Sequence, residues 1–167
     1  MRILGIDPGY AIVGYGVLEY EKNKFYPLQY GAVTTDAHTD FQLRLKEVFS
    51  RVDEIIKTTR PRALAIEKLY FTTNQKTVIQ VAQARGVILL AAAQNNIPVY
   101  EYTPLQIKQS VTGYGKAIKK QVQEMTRNIL RLEKVPKPDD TADALAVAIC
   151  HGYSYRSKLF TQIGKTL

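Results

Sequence analysis

The first 35 residues alternate between short apolar runs and turn-forming residues, a pattern typical of β-strands. The run over 2–7 stops at a Pro-Gly pair, and the runs over 11–20 and 25–34 are rich in β-branched and aromatic side chains. A polar segment over 21–24 separates the last two runs, as expected of a hairpin loop. The pattern therefore predicts three consecutive strands that pair antiparallel.

A helical spacing follows these strands. Apolar residues recur at steps of four and three positions: Phe41, Leu45, Val48, Val52 and Ile55. This spacing places them on one face of an amphipathic helix, and Thr39 with Gln42 three residues later predicts a capping box at its start. Pro61 ends the helix, and the apolar run over 63–67 predicts a fourth strand.

The segment over 77–94 carries apolar residues on nearly every side of a helix. A helix without a clear polar face is buried in a core or against a partner. In so small a protein, this predicts self-association through helix 77–94. A fifth strand is predicted over 97–102.

Three more helices are predicted after the fifth strand. Thr103, Pro104 and Gln106 form a helix-start pattern, and apolar residues over 118–132 again step by four and three. The last helix is predicted over 140–153. The order of elements predicts an α/β fold with a five-stranded mixed sheet, three antiparallel strands first, flanked by helices in a single domain over 1–167.

Composition narrows the class of protein. Of the 167 residues, 46% are hydrophobic and 23% charged, ordinary globular values that argue against disorder. The single cysteine, Cys150, excludes a disulfide framework or a Cys-rich zinc site. The longest apolar stretch, 87–93, falls well short of the roughly 18 residues of a membrane span, and the N-terminus does not resemble a signal peptide. We expect a soluble, intracellular protein.

The charge distribution indicates a polyanionic partner. The chain has 23 basic and 15 acidic residues, a net charge of +8, and basic residues outnumber acidic ones over 105–134 and again after 151. Asp139, Asp140 and Asp143 lie between these two basic segments. Acids set within a basic region are typical of a metal-dependent site that acts on a polyanion.

Four carboxylates are candidates for that site. Asp7 and Glu67 end the first and fourth strands, and Asp140 and Asp143 share one face of the last helix. Taken singly, each has an ordinary structural explanation, as a turn former, a strand end or a charge that complements the helix dipole. If the first and fourth strands are parallel neighbours, however, all four acids converge at the carboxyl edge of the sheet, where open α/β sheets bind ligands.

Converging carboxylates need a cation. Oxygen ligands favour hard ions such as Mg²⁺ or Mn²⁺. Two such ions roughly 3.5–4 Å apart form the usual clamp for in-line displacement at phosphorus. His151 and Cys150 are expected to be packed residues and not ligands.

Five motifs resemble the RuvC-type Holliday junction resolvases: GIDPG at 5–9, AIEKLYF at 65–71, QARGV at 83–87, KQSVTGYG at 108–115 and DDTADALAVA at 139–148. They fall in family order across essentially the whole chain. The resemblance implies a ribonuclease H-like fold and a bacterial, cytoplasmic homodimer. It also implies an enzyme that uses Mg²⁺ or Mn²⁺ to cut two opposed strands of a four-way DNA junction during recombination and repair.

The resemblance also implies roles for individual residues. The family carboxylates fall on Asp7, Glu67, Asp140 and Asp143, whereas Asp139 is out of register and is interpreted as a helix cap. Residues expected to contact DNA are Lys108 and Lys119 at phosphates, Tyr70 or Phe71 stacked on bases, and Lys116 and Lys120, which could equally form a solvated helix face. Helix 77–94 contains the QARGV motif of the family dimer interface, and the RuvA–RuvB branch-migration machinery is a further partner that the resemblance suggests.

Three other functions stay open on the sequence. The first is another ribonuclease H-like nuclease, acting on RNA or on a flap. The second is an ATPase, since GIDPG resembles the first phosphate loop of actin and sugar kinases, although those chains are longer and carry a second glycine-rich loop. The third is a DNA-binding module without catalysis, against which the four acids argue.

Overall fold

The three strands at the start of the chain pair antiparallel, as the sequence predicts. The computed structural model describes residues 1–69, 75–155 and 161–162, with backbone alone at 75–76 and 161–162. The first strands are β1 (Arg2–Asp7), β2 (Ile12–Glu21) and β3 (Lys24–Thr34). Lys22 and Asn23 turn between β2 and β3 with φ of 49° and 63°, the left-handed conformation that a tight hairpin requires.

Two further strands extend the sheet in parallel, the first paired with β1 and the second paired with the first. They are β4 (Ala63–Glu67) and β5 (Val99–Tyr102), and the sheet order is β3-β2-β1-β4-β5-β6. The five predicted strands are confirmed. The sequence did not predict β6 (Thr161–Gln162), a two-residue strand that pairs antiparallel with β5.

Strand β3 forms the opposite edge of the sheet. Its register against β2 shifts between Val17 and Leu18, where Gln29 and Pro27 are their partners and Leu28 is the extra residue of a β-bulge. The side chains of Tyr26, Leu28 and Tyr30 are exposed. This edge is therefore irregular as well as partly apolar.

Helices cover both faces of the sheet. They are α1 (Phe41–Thr59), α2 (Gln75–Gln94), α3 (Pro104–Thr112), α4 (Lys119–Leu130) and α5 (Asp139–Ser154). Residues of α1 and α2 pack with Leu4, Ile6 and Ile66 in one hydrophobic cluster. Residues of α3, α4 and α5 pack with Ile3 and Ala65 in the other. The sheet thus separates two cores, and alternate strand residues point into each.

Glycines in the sheet allow α5 to lie close to the strands. A Cβ added to Gly5 would lie 2.2 Å from the carbonyl oxygen of Ala144, and one added to Gly14 would lie 1.9 Å from that of Asp140. Both contacts are with backbone, which cannot move aside as a flexible side chain can. The helix therefore reaches its position only because β1 and β2 carry glycine there.

Helix α2 has both a buried and an exposed apolar surface. Ala84, Ile88, Ala91 and Ala92 are fully buried, whereas Ile79 is 60% and Leu90 50% exposed. The segment Thr77–Gln94 of this helix is long and apolar enough to span a membrane by length and composition alone. Core helices of soluble proteins can have the same length and composition, and the buried side of α2 packs against α1.

Two predicted helix starts need correction. Helix α1 begins after Asp40, one residue later than the predicted cap, and no side-chain hydrogen bond caps it. Helix α5 begins after Pro138, so Asp139 lies in the first turn and is not the cap. At α3 the prediction is confirmed, because Thr103 Oγ1 accepts from the Gln106 N–H and Gln106 Oε1 accepts from the Thr103 N–H.

Candidate active site

Asp7 and Glu67 lie side by side at the carboxyl edge of the sheet. Strands β1 and β4 are parallel neighbours in which Ile6 is paired with Ile66, so the two acids that follow are adjacent. By strand alternation, both acids point to the face covered by α5, like Gly5 and Ala65 two residues earlier. They line one shallow cavity together with Pro8 and Pro104.

Helix α5 brings Asp140 and Asp143 to the same edge. Asp7 is paired with Gly14 across β1 and β2, and the Asp140 backbone rests directly on Gly14. One turn further along α5, Asp143 lines a second cavity beside Glu67. The predicted convergence of the first and fourth strands with the last helix is therefore present, and the carboxylates share one edge.

Asp7 has the most perturbed carboxyl group of the site. Its pKa is raised to about 7, first by burial and then by the negative charges of Asp143, Glu67 and Asp140, in that order. The positive charge of Lys119 acts in the opposite direction without outweighing them. The other three acids thus all act electrostatically on Asp7.

The pKa values of Glu67 and Asp143 are raised as well. Burial raises the pKa of Glu67, and Asp143 adds to the shift while Lys119 and Lys108 oppose it. Burial also raises the pKa of Asp143, against a hydrogen bond and attraction from Lys119. The carboxylates therefore carry an excess of buried negative charge that the lysines relieve only in part.

Lys119 and Lys108 lie in the wall of the cavity that Glu67 and Asp143 line. Lys119 Nζ is 2.7 Å from Asp143 Oδ2 and 3.8 Å from Asp139 Oδ2. Burial lowers the pKa of Lys119, but its hydrogen bond with Asp143 and the attraction of the acids raise it overall. Lys119 begins α4, where a positive charge opposes the helix dipole, so its position is favoured by the acids and not by its helix.

The donor set fits hard divalent cations. Carboxylate oxygens suit Mg²⁺ or Mn²⁺, and a dication would relieve the repulsion between Asp7 and the neighbouring acids. Within the described ranges, however, no group of three or more His, Cys, Asp or Glu side chains is close enough to form a ligand set as it stands. Lys119 instead holds Asp143 in an ion pair. The four carboxylates as metal ligands therefore stay a prediction.

The other predicted DNA contacts are less defined. Lys116 and Lys120 are exposed on the surface and do not line the cavity of Lys108 and Lys119. Tyr70 and Phe71 lie outside the described residues.

His151 lies at the far end of α5 and belongs to the core. Its side chain is fully buried, and its Nδ1 is 2.7 Å from the hydroxyl of Tyr102 on β5. Burial lowers the pKa of His151 to about 4 and raises that of its neighbour Cys150 to about 11. These residues are therefore neutral at physiological pH, as the interpretation of both as packed residues expects.

Two contributors to the site were not identified from the sequence. Gly14 supports Asp140, and the recurrence of glycine at Gly14 and Gly16 within a strand is a signal of close backbone approach. Asp139 was interpreted as a cap, yet its carboxylate is 2.5 Å from Lys137 Nζ and faces Lys119. Lys137, two residues before Asp139, was the available signal for the first of these ion pairs.

Comparisons with known proteins agree with this geometry. Residues 3–151 match the family described as crossover junction endodeoxyribonuclease RuvC. The chain is 57% identical over 165 residues to the protein of that name from Clostridioides difficile, covering 98% of each chain. It is 56% identical over 154 residues to that from Caldanaerobacter subterraneus, covering 92% of this chain and 93% of the relative.

A solved structure is similar over almost the whole chain. It is Thermus thermophilus RuvC in complex with a Holliday junction substrate, with a TM-score of 0.93 and 35% sequence identity. The match covers 98% of this chain and 99% of the other. The predicted ribonuclease H-like α/β fold is confirmed.

Proposed function

The chain belongs to the RuvC family of crossover junction endodeoxyribonucleases, and on this basis we propose that it resolves four-way DNA junctions by paired symmetric nicks. The observation that carries the proposal is the cluster of Asp7, Glu67, Asp140 and Asp143 at one sheet edge, next to two lysines. The reaction is hydrolysis of one phosphodiester bond on each of two opposed strands. It serves homologous recombination and DNA repair.

The four carboxylates are proposed to hold two Mg²⁺ ions, for which Mn²⁺ can substitute. Bound divalent cations supply a more acidic water and neutralise charge on phosphate oxygens. Lys108 and Lys119 would contact the backbone phosphates beside the scissile bond, because both line the cavity of Glu67 and Asp143. Lys116 and Lys120 would add weaker phosphate contacts, and Tyr70 or Phe71 would stack on bases near the branch point.

A homodimer is proposed because a four-way junction has two equivalent scissile bonds. A two-fold dimer places one acidic site on each strand, so that the two nicks are symmetric. The exposed apolar side chains of α2, Ile79 and Leu90, support this surface as the interface. The whole of 1–167 would act as one nuclease domain in the bacterial cytoplasm, together with the RuvA–RuvB machinery.

Cleavage of a synthetic four-way junction with a mobile core tests the activity. The native chain, Asp7→Asn and the control Asp53→Asn are compared with Mg²⁺; Asp53 lies on α1 and pairs with Lys57, away from the site. We expect symmetric paired nicks by the native chain and by Asp53→Asn. Asp7→Asn should bind the junction but not cut it, because one of the four carboxylates has lost its charge.

Other results would change the assignment. Binding without cleavage by the native chain would indicate a junction-recognition module. Equal cutting of linear duplex or RNA would retain the nuclease chemistry and remove the junction specificity.

The dimer is tested separately by two matched leucine substitutions. Leu90 on α2 and Leu43 on α1 are each 50% exposed. Leu90→Glu should dissociate the dimer in analytical ultracentrifugation and uncouple the paired nicks, because it buries a charge in the proposed interface. Leu43→Glu should change neither property. A dimer unaffected by Leu90→Glu would exclude this part of α2 as the interface.

A further inference from the structure

Lys119 lies between two acids of α5, Asp143 and Asp139, of which only the first is a proposed metal ligand. Its Nζ is 2.7 Å from Asp143 Oδ2, which belongs to the proposed ligands, and 3.8 Å from Asp139 Oδ2, which does not. Lys137 Nζ donates to the second oxygen of Asp139 at 2.5 Å and so holds that carboxylate in place. Lys119 therefore has one partner inside the site and another at its rim.

The side chain of Lys119 can change partner while its backbone stays fixed. The start of α4 is held by the Ile118 N–H, which donates to Gln121 Oε1 at 3.0 Å, and by the Gln121 N–H, which donates back to the Ile118 carbonyl. The Lys119 side chain itself is more than half exposed. An exposed lysine stem has many accessible rotamers, so a move from Asp143 to Asp139 requires no rearrangement of the fold.

Asp143 cannot form its ion pair with Lys119 and at the same time bind a divalent cation at full strength. An ammonium group bonded to a carboxylate oxygen occupies that oxygen, and its positive charge repels a dication a few ångström away. We propose, resting on the function proposed above, that Lys119 competes with the metal for Asp143 and that Asp139 is the positioning residue that receives Lys119 when the metal binds.

This exchange couples metal binding to DNA binding. Lys119 released from Asp143 stands at the rim of the cavity that it shares with Lys108, where a backbone phosphate would be met. A phosphate that attracts Lys119 in turn frees Asp143 for the metal. By linkage, each ligand then increases the affinity of the other.

Titration of the DNA-free protein with Mn²⁺, with free Mn²⁺ followed by electron paramagnetic resonance, tests the competition. The variants are Lys119→Gln and the control Lys57→Gln; Lys57 Nζ pairs with Asp53 at 2.6 Å on α1, so the same charge is lost away from the site. Lys119→Gln should bind Mn²⁺ roughly threefold to tenfold more tightly, the range expected for a partly exposed ion pair. Lys57→Gln should bind like the native chain.

Unchanged or weaker Mn²⁺ binding by Lys119→Gln would overturn the competition. Failure of both the native chain and Lys119→Gln to bind Mn²⁺ would also overturn it, because the lysine would not be what limits binding. Neither result depends on DNA, so a failure here is distinct from a failure of junction cleavage.

Asp139→Asn, alone and combined with Lys119→Gln, tests the positioning role. If Asp139 acts by receiving Lys119, Asp139→Asn weakens Mn²⁺ binding in the native background and has no effect when Lys119 is already replaced. Equal weakening in both backgrounds would show that Asp139 acts only through its own charge and would overturn this role.

Discussion

The two ends of helix α5 carry ionisable side chains against the same sheet with opposite consequences. At the N-terminal end, Asp140 and Asp143 lie beside Asp7 and Glu67, and burial together with these like charges raises the pKa of Asp7 to about 7. At the C-terminal end, His151 is neutral and accompanied by the Tyr102 hydroxyl. Burial affects ionisable groups at both ends, yet only the first retains like charges that repel one another.

The two ends of α5 therefore differ in their effect on stability: the C-terminal end stabilises the fold, and the charged N-terminal end destabilises it. A buried polar group with a hydrogen-bond partner contributes to stability, whereas clustered buried charges oppose folding until a counter-ion arrives. The C-terminal end of α5 therefore anchors the helix. The helix anchored there can then hold the acids of its N-terminal end close together despite their mutual repulsion.

The sharpest test of the N-terminal end compares two neighbouring aspartates. Asp143→Asn should reduce junction cleavage on the order of a thousandfold, because a proposed metal ligand is lost. Asp139→Asn, one turn away, should reduce it less than about tenfold, because it acts through Lys119. Single-turnover cleavage with saturating Mg²⁺ measures both. Similar losses would mean that Asp139 is itself a ligand.

The close approach of α5 to the sheet predicts the largest effect on stability. Gly14→Ala should lower the free energy of unfolding by about 3 kcal/mol, because its Cβ would meet the Asp140 backbone. Gly31→Ala is the matched control on β3, where the added Cβ would meet only the Tyr15 side chain at 3.2 Å, and it should cost less than about 1 kcal/mol. Urea unfolding measures both, and equal costs would contradict the contact.

Removing the charge of Asp7 should stabilise the metal-free protein. Since the pKa of Asp7 is about 7 in the fold and 3.8 in the unfolded chain, the folded state binds more protons between these values. The free energy of unfolding contributed by this group therefore falls as pH rises from about 4 to about 7. In EDTA, Asp7→Asn should exceed the native chain by on the order of 2 kcal/mol at pH 8.

The advantage of Asp7→Asn should shrink at pH 5, where the native carboxyl is protonated in the fold. Added Mn²⁺ at pH 8 should close the gap, since it stabilises only the chain that retains the carboxylate. Urea unfolding at the two pH values, with and without Mn²⁺, is the measurement. A gap that is the same at pH 5 and pH 8 would contradict the shifted pKa of Asp7.

At the C-terminal end of α5 we expect a substitution to lower stability and to leave junction cleavage nearly unchanged. Tyr102→Phe removes the hydroxyl 2.7 Å from His151 Nδ1 and should lower the free energy of unfolding by about 1–2 kcal/mol. Junction cleavage should change less than about threefold, because the ring still fills the core. A large loss of cleavage with unchanged stability would show that the two ends of α5 are not separate.

Much of the fold follows from local patterns. Short apolar runs mark the five main strands, with β-branched and aromatic residues most frequent in β2 and β3. The Thr103–Gln106 cap is recognisable because both partners lie within one helical turn. The start of α1 was wrong by one residue because Thr39 and Asp40 are both good cap residues. The two-residue β6 is too short to leave any periodic signal.

The convergence of the candidate carboxylates at one sheet edge could be predicted from the sequence. The ion pairs that they form could not. Strand ends and helix spacing brought Asp7, Glu67 and Asp143 together by topology alone. Lys119 was expected at a phosphate, whereas in the structure it pairs with Asp143. That pairing depends on the crossing of α4 and α5, a tertiary contact that neither helix encodes by itself.

The irregular edge at β3 bears on how the protein behaves when it is concentrated. Open strand edges invite strand-by-strand addition of further chains, the first step of fibril growth. Here Pro27 has no N–H to offer, and the bulge at Leu28 interrupts the regular spacing that an incoming strand must match. The exposed Tyr26, Leu28 and Tyr30 are thus displayed on an edge that is a poor template for aggregation, even in a crowded cell.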